Sequence, residues 1–157
     1  MNPQSGTVSG SGNASSAQYL ESIVTTASPA KLRLMLIERA VSVSEMLENT
    51  WRENPGQGPN EHSLKLLELL TELLRGVVGS KQGDGEEVCK QVSDLYVFLL
   101  KHLVAAEEMS DTASIAEIRA VLQVEAETWR LACINELGTD SVVAGNANTG
   151  TGLNLEA

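Results

Sequence analysis

The stretch "TTASPAKLRLML" (Thr25–Leu36) decides the fold. Ser28 followed by Pro29 reads as a helix start, because a serine hydroxyl can accept from exposed backbone N–H groups and proline loses nothing at the first helical position. Beyond it Leu32, Leu34, Met35, Leu36 and Ile37 crowd together. That density exceeds the apolar arc of about 100° that a surface helix turns to a core. Either the helix is buried all round, or it carries two apolar faces with two purposes.

The helix is predicted over Pro29 to Glu53. At about 100° per residue, Leu32, Leu36, Ala40, Val43, Leu47 and Trp51 form one stripe, which is assigned to the core. Leu34, Ile37 and Val41 fall nearly opposite and are assigned to a second face, free for a partner, since contiguous exposed apolar patches mark partner sites. Further along, Ser44, Glu45 and Glu48 make that second face polar.

Working outward, "ENPGQGPN" (53–60), "GSKQGDGEE" (79–87) and "MSD" (109–111) break the chain into loops. A second helix is predicted from about Asn60 to Val78, with Glu61, Lys65, Glu68, Glu72 and Arg75 in one polar sector and leucines and valines across the remainder. A third, from about Glu86 to Glu108, puts Val88, Val92, Leu95, Tyr96, Leu99 and Leu103 on one face and Val97, Leu100 and Val104 on a flanking one. The fourth starts at Asp111 as a cap, turns Ile115, Ile118, Leu122, Ala126, Trp129 and Cys133 inward, and is expected to stop at Gly138. Short loops between long helices predict an all-α, antiparallel up-down four-helix bundle, preceded by a short extra helical segment at Tyr19 to Val24. The bundle domain spans 18–138. Residues 1–17 and 139–157, rich in Gly, Ser and Asn, are expected to be disordered tails.

Composition narrows the function. The 157 residues are 42% hydrophobic but only 3% aromatic, a balance that suits interlocking helices better than an aromatic-rich sandwich. Eleven Lys and Arg stand against 21 Asp and Glu, a net −10 without a basic cluster, which argues against nucleic acid as a partner. Apolar runs fall far short of the roughly 18 residues that span a bilayer, so no membrane insertion is expected and the cytosol is the expected location. Cys89 and Cys133 read as free thiols. His62 and His102 sit on different helices without ligand spacing, so no metal is expected. "VGSKQGDGEE" lacks the phosphate-loop pattern, and "EIRAVLQVEAETWR" lacks the Glu-x-x-His of a di-iron bundle. The expectation is a protein that acts by binding: no enzyme, no cofactor.

"YLESIVTTASPAKLRLMLIERAV" (Tyr19–Val41) resembles the signature of the FliS family of flagellar export chaperones: a tyrosine, "V-x-TASP-x-x-L-x-x-ML", then "YDGA". "LLELLTELLRGV", "VSDLYVFLLKHLVAAE" and "ETWRLA" resemble the family's later helices in the same order, and the resemblance covers about Tyr19 to Cys133. It implies a helical bundle that holds the C-terminal segment of flagellin, which would otherwise polymerise early, and docks on the membrane export gate protein. Leu34, Ile37 and Val41 are the expected flagellin contacts, with Tyr19, Leu20 and Ile23 from the preceding segment and Val97, Leu100 and Val104 from the third helix. "LIERA" stands where the family has "LYDGA", so Ile37, Glu38 and Arg39 replace Tyr, Asp and Gly. The chain is expected to be a monomer or weak homodimer. The competing reading is a structural or adaptor bundle that self-associates through the same apolar faces and serves a different client.

Overall fold

The computed structural model describes residues 16–19, 21, 27–78 and 85–146, with side chains to residue 139. Among them are four long helices: α1 (Pro29–Glu53), α2 (Glu61–Val78), α3 (Glu86–Met109) and α4 (Thr112–Asn146). Helical residues at 16–19 and 21 precede α1, and no strand occurs among the described residues. No described helix is long and apolar enough to cross a membrane.

Side chains cap the starts of three helices, and two of them, Ser28 and Asp111, are the caps expected from the sequence. The Ser28 hydroxyl accepts from the Lys31 N–H at 3.2 Å, with Pro29 at the first helical position. Asn60 Oδ1 accepts from the N–H groups of His62 (2.8 Å) and Ser63 (3.0 Å). Asp111 Oδ1 accepts from Ala113 N–H at 3.0 Å, and its Oδ2 from the Ser114 hydroxyl at 2.7 Å. The far end of α4 differs from expectation. The helix runs through Gly138 to Asn146, so residues 139–146 are helical rather than part of a tail. Glycine in a helix costs only about 1 kcal/mol relative to alanine, and Thr139 Oγ1 donates back to the carbonyls of Asn135 (3.0 Å) and Glu136 (2.8 Å).

The Asp111 cap gives a pH-dependent prediction. The Ser114 hydroxyl first, then the Ser114 and Ala113 N–H groups, hold its carboxyl below the usual aspartate value. A carboxyl depressed in the folded state contributes stability that is present above its unfolded pKa and lost as pH falls through the folded one. Protection of the Ser114 amide from hydrogen exchange should therefore fade only on acidification below the ordinary aspartate range. In Asp111→Asn the cap should persist without that dependence. Equal acid sensitivity in both proteins would refute the assignment.

Cross-helix contacts fix the topology. Arg33 reaches Leu73, Glu38 pairs with Arg130, Glu48 with Arg119, Tyr96 with Glu125 and His102 with Glu117. Low numbers on one helix meet high numbers on the next, so neighbours run antiparallel and the order is up-down-up-down. The helices α1 and α4 share the most extensive interface, and α3 and α4 the sparsest of the four neighbouring pairs. The core is one cluster that includes Ile37, Leu47 and Trp51 of α1, Leu66, Leu70 and Leu73 of α2, Tyr96, Leu99 and Leu103 of α3, and Ile115, Ile118 and Leu122 of α4.

The phase of α1 differs from the sequence expectation. Leu34 (3% exposed) and Ile37 (0%) lie in the core, whereas Leu32 and Leu36 are only partly buried. Leu34 and Ile37 therefore do not form a free face. The reason is that α1 packs on both α2 and α4, so its buried arc is wider than a single stripe. The same arc takes in Ser44 and Glu48. Ser44 donates back to the Val41 carbonyl at 2.6 Å. Glu48 is held by Arg52 at 2.5 Å and faces Arg119 with its other oxygen, so these polar side chains are buried with partners, as burial requires.

One end of the bundle is tied shut. Trp51 Nε1 donates to the Gly58 carbonyl at 2.9 Å, and the Gly58 N–H donates to Ser110 Oγ at 2.8 Å. Gly56 (φ 74°) and Gly58 (φ 75°) take the left-handed backbone that this tight loop needs and that glycine adopts without penalty. The end of α1, the α1–α2 loop and the end of α3 are thereby joined by hydrogen bonds.

Candidate binding groove

At the opposite end the helices part and leave an open groove of about 520 Å³. The start of α1 supplies Pro29, Leu32 and Leu36; the end of α2 supplies Leu73, Gly76 and Val77; the start of α3 supplies Val88, Cys89 and Val92; and α4 supplies Trp129. Each element turns an apolar side chain here because its core stripe continues past the point where its neighbours close over it. Val88 is 61% exposed, an apolar side chain with little to cover it.

Arg33 forms part of the groove wall. Its guanidinium lies over the Tyr96 ring at 5.2 Å and the Trp129 ring at 5.1 Å, a double cation–π stack. The Tyr96 hydroxyl donates to Glu125 Oε2 at 3.2 Å. Burial pushes that hydroxyl well above the usual tyrosine range; the Arg33 charge pulls it partly back and the Glu125 carboxylate pushes it up again. Tyr96 is therefore a neutral donor at any physiological pH. Cys89 and Cys133 are free thiols, both partly buried against the core. Among the described residues no three His, Cys, Asp or Glu side chains are grouped as a metal site would need.

The residues expected from the sequence as contacts are dispersed. Leu34 and Ile37 are core. Val41 is half-buried in a second, more polar depression of about 740 Å³ between α1 and α4, beside Glu38, Glu45, Glu127 and Arg130. Val97 and Val104 are exposed on the outer side of α3, and Leu100 is half-buried against the core. Tyr19 is 68% exposed; Leu20 and Ile23 lie outside the described residues. What sequence reasoning missed is Leu32 and Leu36 as groove residues, and Arg33 altogether. The missed signal is a run spaced by four and three residues, Ile37, Ala40, Ser44, Leu47 and Trp51, which extends back one step to Arg33.

An all-helical bundle with one closed end, one apolar open end and the TASP cap at the head of α1 defines a helical binding protein. Residues 11–136 match the family described as "Flagellar protein FliS", and the chain belongs to that family. A relative is the "Flagellar secretion chaperone FliS" of Salmonella typhimurium (strain LT2), 28% identical over 111 residues that make up 71% of this chain and 81% of the relative.

Proposed function

We propose that the chain is a flagellar secretion chaperone that works in the cytosol by binding alone. It holds the C-terminal segment of its organism's flagellin and delivers it to the flagellar export gate. Family membership supports the general role. The observation that carries the specific one is the apolar groove at the open end, where Leu32, Leu36, Val88, Val92 and Trp129 offer anchors at helical spacing to an amphipathic segment. A segment lying there has its own apolar face covered, and a flagellin whose assembly surface is covered cannot join a filament. No bond is made or broken in such a mechanism.

Titration calorimetry with that flagellin segment tests the reading. One-to-one binding that is unchanged by chelator is expected, together with a change in Trp129 fluorescence, because the indole lines the groove. Absence of binding, or binding abolished by chelator, would sink it. A second reading has one observation in its favour: Leu131, Ile134 and Leu137 in the C-terminal half of α4 are exposed, which suits self-association into a weak dimer. Size-exclusion with and without the segment separates the two, since an adaptor stays dimeric and ignores the peptide.

A further inference from the structure

Arg33 sits where a charge is hard to keep. It occupies the core line of α1, one step before Ile37 and Ala40, and its guanidinium lies over both the Tyr96 and Trp129 rings. Gly76 leaves it room, since a Cβ there would stand 3.4 Å from Arg33 Nη1. Nη1 donates to the Leu73 carbonyl at 3.1 Å. The other two nitrogens, Nε and Nη2, are shielded from solvent and make no hydrogen bond of regular geometry; the Tyr96 hydroxyl also lies close to the guanidinium, its proton already given to Glu125. Arginine ion pairs among the described residues involve Arg52, Arg75, Arg119 and Arg130, but not Arg33.

These two nitrogens are not arbitrary. Nε–H and one N–H of Nη2 point the same way along one edge of the planar guanidinium. That edge grips a carboxylate through two parallel hydrogen bonds. Buried donors left unmade are costly, so the groove wall holds a fork that gains from an arriving anion; the wall's other charged side chain, Glu72, is paired with Arg75 on its own helix.

Taking the groove to be the client site, as proposed above, we infer that Arg33 selects the bound segment by an aspartate or glutamate side chain. The segment's apolar residues rest on Leu32, Leu36, Val88 and Val92, and its carboxylate reaches down to the Arg33 fork, whose flexible stem turns to meet it. A side chain fits better than a chain-end carboxylate. The fork is shielded from solvent, a depth that a side chain of several bonds spans while its backbone stays at the groove mouth.

The test uses the full chain and synthetic peptides of the organism's own flagellin C-terminal segment: unmodified, with each Asp or Glu changed singly to its amide, and with an amidated C-terminus. On the wild-type protein one amide change should weaken binding at least about tenfold, and C-terminal amidation should not. Arg33→Met and Arg33→Lys should lose a similar factor for the unmodified peptide, lysine because it keeps the charge but not the fork. Neither variant should be further weakened by the critical amide change. Melting curves check that the variants fold, and the peptide arms on the wild-type protein do not depend on them. If every amide peptide binds the wild type equally, the inference is overturned while the client site stands. If only C-terminal amidation matters, the side-chain assignment is overturned. If the unmodified peptide does not bind at all, the client reading itself fails and this inference with it.

Discussion

Ile37→Ala is expected to lower the melting temperature by about 10 °C, or about 3 kcal/mol, whereas Leu36→Ala, one residue earlier, should cost no more than about 1 kcal/mol. Ile37 is fully enclosed. Truncating it removes favourable burial and leaves a cavity that the surrounding side chains fill only in part. Leu36 stands on the groove wall, half in water, so its truncation enlarges an opening that is already there. Thermal denaturation followed by circular dichroism reads the difference. Equal melting temperatures would mean that the groove wall is structural core, and the binding site would then lie elsewhere.

The second large effect is on affinity. Leu36→Asp combined with Val88→Asp should weaken binding of the flagellin segment by more than about 100-fold, roughly 2.7 kcal/mol, while the bundle remains folded. Two carboxylates on facing walls of an apolar groove would have to be stripped of water against a partner's apolar side chains. They would also offer the Arg33 fork an internal competitor. Val97→Asp with Val104→Asp forms the control, because these residues are exposed on the outer side of α3 and are the alternative contact surface. Calorimetry on both double variants decides. Loss of binding in the α3 pair, with the groove pair intact, would move the site to the outer surface of α3.

The helices themselves were legible from their apolar periodicity and the breakers between them, and α1 and α4 also from the caps Ser28 and Asp111. Ser28, Asn60 and Asp111 are capping side chains in front of apolar periodicity, and all three hold N–H groups in the structure. The phase of α1 was not legible for a specific reason. Ser44 and Glu48 look like solvent residues, so the face they share with Ile37 read as outward, yet both are buried, Ser44 bonded to its own backbone and Glu48 ion-paired with two arginines. Only Arg119, across on α4, shows that a carboxylate belongs inside. The chosen stripe of leucines, spaced mostly by four, also drifts round a helix of 3.6 residues per turn, so it began on the groove side at Leu32 and ended in the core at Trp51. Gly138 misled in a simpler way: glycine permits a helix to stop and does not compel it. The groove was visible only as an excess of apolar surface. Where that excess collects depends on where neighbouring helices part company, a relation between four segments that no single one contains.

The tie through Trp51, Gly58 and Ser110 lies at the end remote from the groove, and this gives the bundle a mechanical polarity. A segment drawn out of the open end loads its anchors one turn after another, as a zipper is opened, rather than straining all of them in parallel as in shear. Sequential rupture needs far less force than parallel rupture for the same total contact. The knotted end meanwhile keeps the helices in register, like the hinge of a clothes-peg. On the function proposed above, an export machine pulling on the cargo strips it from its carrier with modest work and leaves the carrier folded and ready for the next chain.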